Sequence, residues 1–564
     1  MCGIAGMLGG DASVVGPMIG ALTHRGPDGV RIEGGLAHAR LSIIDLDSGW
    51  QPLRAAGATV VGNGELYNYI ELAAEFGLGG VLATGSDYEP FLHLAAREGP
   101  AAIGRLRGMY ALCLVGPDGR TVLARDPFGI KPLYILEQDS AVAFASEPRA
   151  FFAAGLLNPT IDVEAAHQLL DLNYTLGERT LFAGLRRLAP GEVVEVRGGR
   201  IIGSHRSAPF ARSLPRDVGE AGLLGQLDAV LEDSVRVHQR ADVPYGLFLS
   251  GGIDSATIAT LMARLSERPV TAFTCGFDAP RSQRGGAADE RAAAEAVAKA
   301  LNLDWRETTF GEADFWRILP QVAWAFDDPT ADYATLPTYK LAEAAKGTLT
   351  VVLTGEGGDE LFAGYGRYRR ALRPAWLGGR PAEPRGASPA TLAAWRDAAR
   401  PPPGLTRLQQ AQWADIATWL PNDLLLKLDR CLMAHGLEGR TPFLDREVAA
   451  FAFALPDRFK IRGGHGKWLL RKWLERACPA ARPWARKQGF TVPVEAWIAP
   501  RAADIAARIG RIEAVRQVLG DEAAGRMAAP GRRWPLLFFA VWALIHLEGA
   551  QPNGALAALM GDGG

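Results

Sequence analysis

The sequence is sparing with the features that mark several large classes of protein. Its 564 residues include only five cysteines, Cys2, Cys113, Cys275, Cys431 and Cys478. Their number is odd, their spacing is wide, and no C-x-x-C pair occurs. A disulfide framework and a cysteine-ligated zinc site are therefore not expected, and a reducing, cytoplasmic location is. Neither sign of charge is in surplus: 61 Lys and Arg against 62 Asp and Glu leave a net charge of -1. No global field draws in nucleic acid or an anionic membrane, so small molecules are the expected partners. Long hydrophobic runs are missing too. The N-terminus has no basic segment leading into an apolar run, so no signal peptide is expected. The longest apolar stretch near the C-terminus, Leu536 to Ile545, is about half of a membrane helix and reads as a buried one. No solenoid-type repeat is present.

A chain of this length needs more than one core, and its texture changes partway along. Residues 1–207 read as short strands and turns. Gly3–Leu8 is an apolar run interrupted by glycine. Tyr110–Val115 meets the turn Gly116-Pro117-Asp118-Gly119 and then Thr121–Ala124, which predicts a hairpin. Glu192–Val196 and Arg200–Ile202, around Arg197-Gly198-Gly199, predict another. An antiparallel α+β domain is expected. Residues 208–220, containing proline and charge, read as a linker.

Over residues 221–550 the pattern alternates. Helices are predicted over Leu223–Val237, Ser255–Leu265 and Arg291–Leu301, and strands over Val243–Leu249, Val270–Cys275 and Thr348–Leu353. Such alternation gives an α/β domain with a parallel sheet. From Leu408 onward the pattern is mostly helical. Leu377–Gly404, rich in Pro, Gly and Arg, reads as an exposed insertion. Residues 551–564 read as a tail.

Cys2 becomes the first residue once the initiator Met is trimmed. Its α-amine can then serve as general base for its own thiol. Arg40, in Arg40-Leu41-Ser42-Ile43-Ile44-Asp45, offers a guanidinium for a carboxylate. Asn63 and Gly64, in Asn63-Gly64-Glu65, offer an amide and a main-chain N–H for an oxyanion hole. Asp87, in Thr84-Gly85-Ser86-Asp87, offers an anion for an ammonium. An α-amino acid with a side-chain carbonyl needs this set. These segments, with His24-Arg25-Gly26-Pro27-Asp28 and Arg125-Asp126-Pro127-Phe128-Gly129-Ile130-Lys131-Pro132-Leu133-Tyr134, resemble the glutaminase domain of class II glutamine amidotransferases. The resemblance implies an N-terminal-nucleophile fold of stacked antiparallel sheets between helices. It implies Cys2 as nucleophile and Asn63 and Gly64 as oxyanion hole. Arg40, Leu41, Ser42, Ile43, Ile44, Asn63, Gly64, Glu65 and Asp87 are the implied glutamine-binding residues.

Ser250-Gly251-Gly252-Ile253-Asp254-Ser255 lies between a predicted strand and a predicted helix. Glycines admit phosphate oxygens to the backbone, and the helix start adds N–H donors. No Lys-Ser/Thr closes the loop, so it is not a Walker A sequence. Its two serines suit pyrophosphate, and Asp254 suits Mg²⁺. A second Gly-rich loop, Thr354-Gly355-Glu356-Gly357-Gly358-Asp359-Glu360, ends the third predicted strand with three carboxylates. This loop resembles the asparagine synthetase family. So do Asp429-Arg430-Cys431-Leu432-Met433-Ala434, Glu438-Gly439-Arg440-Thr441-Pro442-Phe443-Leu444-Asp445 and Lys467-Trp468-Leu469-Leu470-Arg471.

The resemblance implies an ATP-pyrophosphatase-type domain that uses ATP and Mg²⁺. Its implied ATP-binding residues are Leu249, Ser250, Gly251, Gly252, Asp254, Ser255, Cys275, Thr354, Gly355 and Lys467. Asp254 and Asp359 are the implied metal ligands, and Glu356 the base toward ammonia. From the sequence alone Cys275 reads equally as a plain buried strand cysteine. Related enzymes are often dimers, which makes a homodimer one expected assembly.

Taken together, the two halves predict glutamine-dependent, ATP-dependent amidation of a carboxylate through an acyl-adenylate, with aspartate as the first expectation. Two alternatives stay open. One is a relative acting on a peptide, antibiotic or polysaccharide precursor. The other is a non-catalytic sensor or assembly protein. Arg486-Lys487-Gln488-Gly489-Phe490, the 377–404 segment, and Thr330 where the family often has Phe depart from a housekeeping pattern.

Overall fold

Along the strand Gly3–Leu8 the side chains alternate between two cores. Ile4 enters one apolar cluster, while Ala5 and Met7 enter another. Along Ala58–Leu66, Val61 shares the cluster of Ile4, whereas Val60 faces away toward Phe91 and Leu92. This period of two makes a sandwich. One antiparallel sheet runs in the order 186–187, 134–138, 141–145, 3–8, 36–40, 29–33. The other runs 200–206, 192–197, 121–125, 108–115, 58–66, 53–55. Helices Val15–Gly20 and Val163–Leu172 cover the first sheet, and Tyr88–Glu98 covers the second. Both predicted hairpins are present, Gly108–Val115 with Thr121–Arg125 and Glu192–Arg197 with Arg200–Arg206.

The computed structural model describes residues 2–210, 218–277, 290–379, 383–485 and 492–561. The 211–217 part of the expected linker and the segment Arg486–Phe490 lie outside the described residues.

The second half carries a five-stranded, all-parallel sheet in the order Asp304–Phe310, Thr271–Phe277, Tyr245–Phe248, Val351–Leu353, Glu438–Arg440. The chain builds outward from Tyr245–Phe248 on one side, then crosses to the other at Val351–Leu353. That reversal opens a crevice between the carboxyl ends of these two strands, where open α/β sheets bind ligands. The predicted phosphate loop and the carboxylate loop leave from these two ends.

Two expectations need correction, and one element was not foreseen. Leu377–Gly404 is not wholly an exposed insertion: Ser388 caps a helix over Pro389–Ala398, and Trp395 packs against Tyr174 and Leu176. Residues 551–561 are not a loose tail, because Pro552–Met560 is a helix with Ala555 and Leu559 buried. The largely helical C-terminal part also holds a strand, Glu438–Arg440.

Helix Arg533–His546 contains the long apolar run and is buried along Leu536–Ile545, as expected. Among the described residues no helix is long and apolar enough to cross a membrane. Trp542, fully buried, packs its ring tilted against Phe182 of the first half, centroids 5.3 Å apart, and donates to the carbonyl of Asp327 at 3.1 Å. Trp542→Ala should therefore destabilise the protein by about 3–5 kcal/mol. An unchanged midpoint in chemical denaturation would contradict this packing.

Candidate functional site

Cys2 precedes the first strand and is nearly buried, at 8 % exposure. Its nitrogen donates to Oδ1 of Asn63 at 3.1 Å, and its thiol lies 3.8 Å from the carbonyl of Leu41. Burial pushes the thiol above its ordinary value. A standing thiolate is therefore not favoured, and attack needs a base to remove the proton. Asn63 is itself fully buried, and its Nδ2 has no hydrogen-bond partner among the described residues. An orphaned buried donor beside a nucleophile suits a developing oxyanion. Gly64, next to it, has φ +148, and a Cβ there would lie 2.0 Å from the carbonyl oxygen of Met109. Only glycine lets this strand keep its place beside 108–115.

Arg40 lies in the same site but is held more tightly than a free clamp would be. Its guanidinium donates to the carbonyls of Leu46, at 3.1 Å, and of Asp45, and it lies over the Trp50 ring at 4.8 Å. These contacts fix the planar fork in advance. Leu41, Ile43 and Ile44 pack into a cluster shared with Leu353 and Leu444 of the second half. The Ser42 N–H donates to Asp28 at 2.7 Å, and the Ile43 carbonyl accepts from Asp242 at 2.8 Å. The loop that would cradle an amino acid thus rests on the other domain.

Asp87 accepts from the Leu66 N–H at 2.8 Å, and Glu65 accepts from Arg440 at 3.1 Å. Both carboxyls are buried. Burial pushes each upward, Glu65 well above the carboxylate range with Asp87 adding to the rise, and Asp87 to about 7. Such a pair shares its protons.

At the second site, Ser250 and Ser255 face each other with hydroxyls 3.0 Å apart, and the Gly252 N–H donates to Ser250 at 3.1 Å. Gly251 belongs to the same turn, and helix Ile253–Leu265 starts within it. Leu249 is buried beneath, and its carbonyl accepts from Thr274 at 2.7 Å. Cys275, one residue further, lies near the carboxyl end of its strand, where burial pushes its thiol up to about 12.

The loop has no lysine of its own, yet Lys467 arrives from 213 residues away and pairs with both Asp254 and Asp359, the latter at 2.6 Å. Gly355 and Gly358 leave room for Asp254: a Cβ would lie 2.8 Å from Cβ of Asp254 in one case and 2.5 Å from its Oδ1 in the other. Thr354 is buried, its N–H donating to the carbonyl of Arg440 at 2.9 Å. Burial raises Glu356 above the usual carboxylate range, against the nearby ammonium of Lys427.

The two sites are joined by charges that carried no individual role in the sequence. Arg25 donates to the Cys2 carbonyl at 3.2 Å, to Glu147 at 2.7 Å, and through both arms to Asp429 at 2.8 and 3.0 Å. Arg430 pairs with Glu147 and, at 2.9 Å, with Asp327. Their only sequence signal was membership of quoted motifs, His24–Asp28 and Asp429–Ala434. Among the described residues no group of three His, Cys, Asp or Glu side chains could hold a metal by itself. Asp254 and Asp359 instead form a pair that substrate phosphates would have to complete, an arrangement suited to Mg²⁺.

An ammonium ligand between Glu65 and Asp87 needs at least one ionised carboxylate. Because the Asp87 pKa is raised to about 7, that charge is present above this value and lost below it. Glutamine binding to a Cys2→Ala variant, followed by calorimetry, should weaken as pH falls through about 7. Asp87→Asn should flatten that dependence, and a wild-type-like profile in the variant would remove Asp87 from the site.

Comparison with known proteins places these features in a family. Residues 226–544 match the asparagine synthase family, and residues 1–206 match the glutamine amidotransferase domain. Asparagine synthetase [glutamine-hydrolyzing] 1 of Bacillus subtilis is 32% identical, over 93% of this chain and 93% of that protein. A putative asparagine synthetase [glutamine-hydrolyzing] of Mycobacterium tuberculosis is 33% identical, over 97% of this chain and 96% of that protein. Asparagine synthetase B [glutamine-hydrolyzing] of Escherichia coli is 28% identical, over 83% of this chain and 77% of that protein.

Proposed function

Because this chain belongs to the glutamine-hydrolysing asparagine synthetase family, we propose that the carboxylate it amidates is that of aspartate. It is an ATP-driven carbon–nitrogen ligase with glutamine as nitrogen donor. Aspartate is favoured by the similarity to asparagine synthetases along 93% of the chain, and the two-site chemistry by the pairing of the buried Cys2 thiol, beside an orphaned amide donor, with a phosphate-type loop at the switch point of the parallel sheet.

The Cys2 sulfur attacks the side-chain carbonyl of glutamine while its own α-amine takes the thiol proton. Nδ2 of Asn63 and the Gly64 N–H receive the charge that develops on oxygen. The C–N bond breaks as the protonated α-amine returns its proton to the departing nitrogen, ammonia leaves, and water later splits the γ-glutamyl thioester to glutamate. Arg40 holds the α-carboxylate, while Glu65 and Asp87 hold the α-ammonium.

In the second domain an oxygen of the acceptor carboxylate attacks the α-phosphate of ATP and pyrophosphate departs. The loop Ser250–Ser255 and Lys467 hold the departing phosphates. Mg²⁺ bound by Asp254 and Asp359 would supply charge neutralisation there. Leu249, Cys275, Thr354 and Gly355 wall the adenosine. Ammonia attacks the acyl carbon, AMP leaves, and Glu356, whose carboxyl burial pushes above its ordinary value, takes the surplus proton. Ammonia that travels inside the molecule escapes protonation by bulk water.

Protein given glutamine, MgATP and aspartate should form asparagine, glutamate, AMP and pyrophosphate in equal amounts. Cys2→Ala should make asparagine from ammonia but not from glutamine. AMP release from a different carboxylate, with none from aspartate, would overturn the acceptor assignment and leave the two-site chemistry standing.

A further inference from the structure

Arg440 belongs to the edge strand of the parallel sheet and is fully buried. Three of its contacts lie within its own domain. Nε donates to Glu438 at 2.5 Å, and Nη1 donates to the carbonyls of His238 and Arg240 at 2.8 and 2.7 Å. These pin the guanidinium. Its remaining arm, Nη2, crosses the seam to Oε2 of Glu65 at 3.1 Å. The other oxygen of Glu65 has no hydrogen-bond partner among the described residues. A buried carboxylate with one oxygen clamped and the other left bare is oriented for a cation. Asp87 and Glu438 face Glu65 with like charge, which leaves Arg440 as the side-chain cation that balances it. The carbonyl of the same residue accepts from Thr354, so a single residue separates the glutamine clamp from the adenylation loop.

We propose that Arg440, a residue of the synthetase domain, is the positioning residue that holds Glu65 for the ammonium of glutamine, so that the glutamine site is complete only with both domains docked. This rests on the reading that Glu65 is a glutamine ligand. Lysine at position 440 can keep a charge-assisted bond to Glu65 but not the fork.

The test is steady-state kinetics on the full-length protein, with glutamine and with ammonia as nitrogen source. Arg440→Gln should raise KM for glutamine about tenfold, while ammonia-supported kcat stays within about twofold. Arg440→Lys should recover much of the loss. In a Glu65→Gln background, Arg440→Gln should add less than about twofold to KM, because its partner is gone. A purely structural role predicts equal losses with both nitrogen sources and a full multiplicative effect in the Glu65→Gln background, and either result overturns the proposal. If Arg440→Gln does not fold, Arg440→Lys with and without Glu65→Gln gives the same discrimination. Glu65→Gln with an unchanged glutamine KM would instead refute the underlying reading of Glu65.

Discussion

Arg25, Arg430 and Arg440 are each withdrawn from water at the seam between the two halves. Taking a charge out of water costs several kcal/mol per ion unless partners replace the lost hydration. Here the partners come from both sides. Arg25 reaches Asp429, Arg430 reaches Glu147, and Arg440 reaches Glu65. The carboxyls respond in kind. Despite burial, Arg430 and His24 hold Glu147 well below its ordinary range, and Arg25 holds Asp429 below its ordinary value. Removing one member would strand a charge in the interior, so the two halves are bound to one relative placement. The geometry of the first-domain site hangs on that placement, because Arg25 holds the carbonyl of Cys2 and Arg440 holds Glu65.

This seam gives a physical reason for housing both chemistries in one chain. Ammonia is useful to an acyl-adenylate only while it is unprotonated and close. Between the two domains lie the buried ion pairs of Arg25, Arg430 and Arg440. The proposed glutamine ligands are built from strand ends and loops of the first domain, and the second domain backs them through Asp242 and Arg440. The phosphate loop is built from the sheet's switch point and completed by Lys467, a residue remote in sequence. Neither site belongs to a single contiguous stretch of chain.

Much of the fold was legible because its signals are local. The hairpin turn at 116–119, the apolar runs along 3–8 and 110–115, and the strand–loop–helix at 245–265 depend on near neighbours in sequence. The elements that were missed fail that condition. Glu438–Arg440 is a strand whose charged residues are buried by ion pairs with distant partners, so no apolar pattern announces it. Asp304–Phe310 is an edge strand with Asp304, Arg306 and Glu307 along it. Ser388 before Pro389 was a readable helix start, but the surrounding Pro, Gly and Arg masked it. In the sites, Cys2, Asn63 and the two Gly-rich loops were identified by residue type and spacing. The parts played by Arg25, Asp429 and Arg440 were not, since their meaning lies in contacts that cross hundreds of residues.

The proposed chemistry requires that nitrogen released at Cys2 reach the adenylated carboxylate without passing through solvent. Its most direct test is to supply glutamine labelled with ¹⁵N at the amide, together with an excess of unlabelled ammonium at neutral pH, and to read the isotope in the amide product by mass spectrometry. The account predicts that the product amide keeps the label nearly undiluted. Label diluted in proportion to the external ammonium pool would show that the nitrogen equilibrates with solvent, and would contradict the account.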